Sequence, residues 1–140
     1  MATRRQVVDE ARKWVGVKWR HMGRDRAGID CGGLVCNVAN ALGVEHIDMR
    51  IYSHVPDGFE LRAVMDKCLD RIDHTAARYG DLVLMRWDRM PVHIGILSDT
   101  YQPLGLIHAY AAMRGVVEHT FSGEWPARTC VYFSFRGLED

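Results

Sequence analysis

Apolar side chains recur at helical spacing from residue 4 to residue 15: Val7, Val8, Ala11, Trp14 and Val15, with Arg, Asp, Glu and Lys between them. This pattern predicts an amphipathic helix. Residues 16–30 hold Gly16, Gly23 and Gly28 and are rich in charge, which predicts a loop. A second helix is predicted over 31–42, with Asp30 as N-cap and Leu34, Val35, Val38, Ala41 and Leu42 on its apolar face. Gly43 is placed to stop it. Residues 44–56 read as mostly irregular. Asp57 and Glu60 then have the spacing of a capping box, opening a third helix with a stripe of Leu61, Val64, Met65, Cys68, Leu69 and Ile72.

The second half changes period. Short runs rich in β-branched and aliphatic residues cover 82–85, 93–97, 106–110, 116–119 and 130–135. Turn residues separate them at 80–81, 88–91, 98–105, 114–115 and 122–126. Connections this short suit an antiparallel meander rather than βαβ units. Helices first and strands later predict the α+β class: N-terminal helices packed on an antiparallel sheet. With no repeat, low-complexity segment or linker in view, residues 1–140 are expected to form a single domain.

Charge narrows the range of partners. Eighteen basic and eighteen acidic residues give a formal net charge of zero. That balance argues against non-specific binding to nucleic acid or to an anionic membrane surface. No apolar run approaches the roughly 18 residues of a membrane helix, so no membrane insertion is expected. The start, Met1-Ala-Thr-Arg-Arg-Gln, runs directly into the amphipathic pattern and not into the apolar core of a leader. The expectation is cytoplasmic synthesis without a signal peptide.

The four cysteines, Cys31, Cys36, Cys68 and Cys130, form no C-x-x-C pair. Cys36, Cys68 and Cys130 lie in apolar patterns and read as small buried hydrophobes. Cys31 is set apart by its place at the first position of the second helix, where unpaired N–H groups and the helix dipole favour negative charge. A thiol there ionises more readily. Gly32 and Gly33 follow, leaving room for a substrate carbonyl to approach the sulfur and the helix-start amides. The same local pattern also fits a core cysteine followed by small residues for close packing.

A nucleophilic thiolate needs a base, and the base needs an orienting partner. His93 opens an aliphatic run and His108 lies within another, 15 residues on. A hairpin would set them side by side on one face. His46, His54, His74 and His119 lie in polar surroundings and read as surface residues. His21 is kept as a candidate because its loop leads into Cys31. Cys31, His93 and His108 lack a fourth donor for zinc, so neither metal nor cofactor is expected.

These residues resemble a family. Gly16-Val-Lys-Trp-Arg-His-Met-Gly followed by Gly28-Ile-Asp-Cys-Gly-Gly-Leu-Val is similar to the signature of the NlpC-type peptidases, papain-like endopeptidases of bacterial cell-wall peptides. Arg78-Tyr-Gly-Asp-Leu-Val, Pro91-Val-His-Ile-Gly-Ile and Leu106-Ile-His-Ala resemble its later blocks, in the family's order. The resemblance implies a papain-like fold with Cys31 as nucleophile, His93 as base and His108 as orienter. It places Trp19, His21, Asp30 and Gly32 around the substrate. Trp19 stands where the family usually has Tyr, and Gly32 where it usually has Ser. The implied substrate is the D-γ-glutamyl–diamino-acid bond of peptidoglycan stems. Trp19-Arg-His and Tyr52-Ser-x-x-Pro-Asp-Gly resemble the branch found beside phage tail genes, which implies assembly with phage tail proteins and action at the cell wall. Two other expectations compete: a non-catalytic structural or wall-binding tail component, and a thioesterase or acyltransferase on the same scaffold.

Overall fold

The computed structural model describes residues 1–44, 59–87 and 90–139. The expected irregular stretch beyond Val44, with His46, Tyr52 and His54, and the capping residue Asp57 lie outside the described residues.

Helix α1 spans Arg4–Arg12. Its start is a capping box: the Thr3 hydroxyl accepts from the Gln6 amide at 3.1 Å, and Gln6 Oε1 accepts from the Thr3 amide at 2.9 Å. Val7, Val8 and Ala11 are buried. The helix ends earlier than its periodicity predicts. Lys13, Trp14 and Val15 each donate three residues back, to Glu10, Ala11 and Arg12. This tighter winding keeps Trp14 in the core but turns Val15 out to solvent.

The expected loop over 16–30 contains a small hairpin, β1 (Arg24–Asp25) and β2 (Gly28–Ile29). Helix α2 spans Cys31–Leu42, capped by Asp30 and closed by Gly43 in the left-handed conformation, φ 66°. Helix α3 spans Phe59–Cys68. Leu69 and Ile72, expected on its stripe, lie instead in strand β3 (Leu69–Ile72), paired with Phe135 and Tyr132. Sheet pairing overrides the helical period there.

Strands β4 (Leu82–Trp87), β5 (Met90–Ser98), β6 (Gly105–Tyr110) and β7 (Gly115–Thr120) form the expected antiparallel meander. The last strand, β8 (Thr129–Phe135), does not extend it. After a short helix α4 (Glu124–Arg128), in a segment expected to be a turn, the chain crosses back to pair with β4 and β3. The sheet order is β3-β8-β4-β5-β6-β7. One face of the sheet carries Leu84, Ile94, Ile96, Ile107 and Phe133, joined in one core with Val8, Leu34 and Val38 of α1 and α2. The other face carries Val83, Met85, Leu97 and Leu106 under Phe121 and Trp125.

Two bulges flank Met85. Met85 pairs with His93 but Arg86 with Pro91, so Val92 is an extra residue on β5. On β8, Val131 pairs with Leu84 and Thr129 with Met85, which makes Cys130 the extra residue there. Cys130, expected to be buried, is exposed: it is out of phase with Val131, Phe133 and Phe135. Asp81, fully buried, ties α1 to the sheet by pairing with Arg4 while accepting from the Ser134 hydroxyl and the Arg78 amide.

Candidate active site

Asp30 organises the start of α2. Its Oδ1 accepts from the Gly33 amide at 2.8 Å and from Arg24 at 2.7 Å, and its Oδ2 accepts from the Met22 amide at 2.9 Å. One carboxylate thus caps the helix and fastens the preceding loop across it. Gly33 exists for that loop. A Cβ on it would stand 2.3 Å from the Gly23 carbonyl oxygen and 2.8 Å from Ile29 Cγ1. The room expected there for a substrate is filled by the protein's own backbone. Gly32 is buried in the same turn.

Cys31, 8% exposed, opens the helix at the wall of a cavity of about 560 Å³. Trp19, His21, Asp30, Trp87, His93, Tyr110 and Arg128 also line it. Cys31 Sγ lies 3.9 Å from the carbonyl oxygen of Val92, the bulge residue that precedes His93. The bulge therefore sits where strand β5 delivers its histidine next to the cysteine's helix. Trp19 is half-buried: it packs on the core and shows its remaining surface to the cavity. His21 is exposed at the rim, its ring centroid 6.4 Å from that of Trp19.

His93 Nε2 and His108 Nδ1 are 2.7 Å apart. Gly95 makes this approach possible, since a Cβ there would meet Leu106 Cδ1 at 2.5 Å and His108 Cβ at 3.3 Å. The array does not end at His108. His108 Nε2 lies 2.8 Å from His119 Nε2, and His119 Nδ1 lies 2.9 Å from the Thr120 carbonyl oxygen. His119, expected on the surface, is half-buried and part of the site. The β6–β7 register explains this: Leu106 faces His119 and His108 faces Val117, so the two histidines are diagonal neighbours on one face. Glu118 and Thr120 flank His119 in the sequence and hide this; the alternation of 117 and 119 was the available signal.

Aromatic rings enclose the array. Trp87 stacks on His93, Tyr110 stacks on His108 at 5.2 Å, and Trp125 stands edge-on to His108 at 4.9 Å. Periodicity marked none of the three. Burial disfavours charge on both inner imidazoles. It pulls His93 down from 6.5 to about 4. His108 is lowered further, by burial first and then by His93 and His119 beside it. His93 is therefore neutral at pH 7, as a proton acceptor must be. Of the other expected surface histidines, His74 is exposed beside Asp73. Among the described residues, no group of three or more His, Cys, Asp or Glu side chains is arranged to hold a metal ion, and no helix is long and apolar enough to cross a membrane.

Residues 16–132 match the NlpC/P60 family profile. No curated protein matches the sequence. Among solved structures, the chain resembles an NlpC/P60 family protein from Bacillus cereus, with TM-score 0.71, 14% identity, 94% of this chain and 39% of that one. It also resembles the NlpC/p60 domain of the peptidoglycan hydrolase SagA, with TM-score 0.67, 21% identity, and 95% and 99% coverage. A third is the P60 domain of an antigen from M. avium subspecies paratuberculosis, with TM-score 0.60, 18% identity and 98% coverage of both chains. The chain spans only about two fifths of the Bacillus protein's length. At these identities the likeness is one of fold: the α+β, papain-like arrangement of helices on an antiparallel sheet.

Proposed function

The chain belongs to the NlpC/P60 family, and on that premise we propose that it is a cysteine endopeptidase of peptidoglycan stems, with Cys31 as nucleophile, His93 as base and His108 as orienter. One observation carries the reading: Cys31, at a helix start, shares a cavity with a neutral histidine whose far nitrogen is engaged by a second histidine.

In this mechanism the Cys31 thiol gives its proton to His93 Nδ1, because Nε2 is engaged with His108. The thiolate, favoured by the helix dipole, attacks an amide carbonyl. The Gly33 amide is held by the Asp30 carboxylate and the Leu34 amide by the Asp30 carbonyl, at 3.0 Å. Both amides are thus committed within the protein and are not offered to the oxyanion. His93 protonates the leaving amine as the C–N bond breaks, then takes a proton from the water that hydrolyses the thioester. Asp30 acts by holding the loop that carries Trp19 and His21 against the substrate, since its oxygens are already committed.

The bond is taken to be the D-γ-glutamyl–diamino-acid linkage, and the setting a phage or prophage tail. Both rest on the sequence resemblance, the second through Trp19-Arg-His and the Tyr52 segment. The test is hydrolysis of purified cell wall and of a synthetic stem peptide, with mass analysis of the products. Wild type is expected to release the diamino-acid fragment, Cys31→Ala to release none, and His93→Ala to lose about 10²–10⁴-fold. Equal turnover by Cys31→Ala and wild type would refute the reading. Co-purification of the chain with tail particles tests the setting.

A further inference from the structure

The array of rings extends past the orienting histidine, and its far end has a chemical direction. We infer that His119 is a positioning residue: anchored on the Thr120 carbonyl, it fixes the tautomers of His108 and His93, so that His93 presents an unprotonated Nδ1 to the cavity it shares with Cys31. The inference rests on the peptidase reading for its catalytic consequence, but not for its chemistry.

The Thr120 carbonyl at the end of the row has a role that cannot change. A carbonyl oxygen only accepts, so His119 Nδ1, 2.9 Å from Thr120 O, carries the hydrogen and donates. A neutral imidazole has one donor and one acceptor, so His119 Nε2 is an acceptor. It takes the hydrogen of His108 Nε2 across 2.8 Å. His108 Nδ1 is thereby the acceptor for His93 Nε2–H, across 2.7 Å. His93 is left with its lone pair on Nδ1. Reversed, the array would place the hydrogen on His93 Nδ1 and leave the thiol without a base. His108 alone cannot make this choice, because either nitrogen of a neutral imidazole can donate. The choice is made one ring further out.

The surroundings preserve the direction. Trp125 covers His108 and His119, with centroids 4.9 Å and 5.0 Å away, and Tyr110 stacks on His108. His108 is fully buried. Water is thus kept from supplying an alternative donor or acceptor within the row.

Two substitutions of similar length separate direction from packing. His119→Glu can only accept when ionised, and His119→Lys can only donate. The Glu variant is expected to keep the proton on Nε2 of His93 and His108 and to lose far less turnover than the Lys variant. The Lys variant is expected to invert both rings. Its kcat should fall by about 100-fold or more, the scale of a wrong-tautomer defect, with KM little changed. Nitrogen-15 NMR of labelled histidine reads the tautomers directly, and the wild-type spectrum alone tests the assignment if a variant fails to fold. A wild-type proton on His93 Nδ1, or equal kcat in the Glu and Lys variants, would overturn the inference. The rate of Cys31 alkylation at neutral pH supplies a readout without any peptide. Slower alkylation in the Lys than in the Glu variant, in a protein inert on stem peptides, would refute the peptidase reading and support the role of His119.

Discussion

Trp87 lies almost flat on His93, with ring centroids 5.4 Å apart and planes 15° apart. Arg128 stands over the same indole at 4.3 Å. The indole thus shields one face of the imidazole from water and forms part of the burial that pulls His93 down to about 4. Trp87→Ala is expected to hydrate the ring and move it back toward its ordinary value near 6.5. The acid limb of kcat/KM should rise by about one pH unit or more, while Trp87→Phe, which keeps a flat apolar cover, should shift it less. Superimposable pH profiles for Trp87→Ala and wild type would show that the indole does not set the base.

The same burial links stability to pH, with a definite sign. Above about pH 6.5 neither the folded nor the unfolded state protonates His93. Between about 6.5 and 4 the unfolded chain binds a proton that the folded site refuses. Stability is therefore full above 6.5, falls as the pH drops toward about 4, and levels off below. A displacement from 6.5 to about 4 corresponds to at most roughly 3 kcal/mol. His108, lowered in the same direction, adds to the slope. Urea unfolding of wild type and His93→Gln across this range is the measurement. The variant is expected to lose less stability on acidification, and a parallel decline would place the acid sensitivity elsewhere.

Cys31 is buried at the wall of the cavity it shares with His93, whereas Cys130 is exposed at a bulge and Cys36 and Cys68 lie in the core. Iodoacetamide is therefore expected to label two sites in the wild type. In Cys130→Ser a single fast site should remain, and peptide mapping should place it at Cys31. Adding His93→Ala to Cys130→Ser should slow that site by removing its proton acceptor. Fast labelling of Cys36 or Cys68 in the Cys130→Ser protein would contradict the nucleophile assignment.

Local signals made α2 legible from the sequence almost to the residue, because Asp30 and Gly43 are strong punctuation at its ends. The meander was legible as well, through period-two runs between turns. What escaped was set by partners far along the chain. Leu69–Ile72 continues a helical stripe in sequence and becomes a strand because β8 is there to pair with it. Cys130 looks apolar in its run, yet its exposure is set by a bulge that depends on the β4 register. That Cys31 and His93 share a cavity and that His93 meets His108 could be anticipated, because each stands out locally, at a helix start or in an aliphatic run. His119 could not, since only its diagonal place across from His108 gives it a function.

Gly33 offers the sharpest test of how the loop and the helix share their space. On intrinsic propensity, Gly33→Ala should stabilise α2 by about 1 kcal/mol. The added Cβ, however, would lie 2.3 Å from the Gly23 carbonyl oxygen, 2.8 Å from Ile29 Cγ1 and 2.9 Å from an Arg24 nitrogen. The nearest of these is backbone and cannot rotate away. Overpacking of this kind costs typically 1–3 kcal/mol, and contact this close to backbone lies toward the upper end. The clash is therefore expected to win, lowering stability by about 1–2 kcal/mol net. Relief must come from lifting the loop that Asp30 fastens, which also carries Trp19 and His21 at the cavity wall. Turnover should then fall more than stability alone requires, with KM rising as the substrate wall moves. Chemical unfolding and steady-state kinetics of Gly33→Ala provide both readings. A variant more stable than wild type, with KM unchanged, would show that the loop yields freely and that the glycine serves some other purpose.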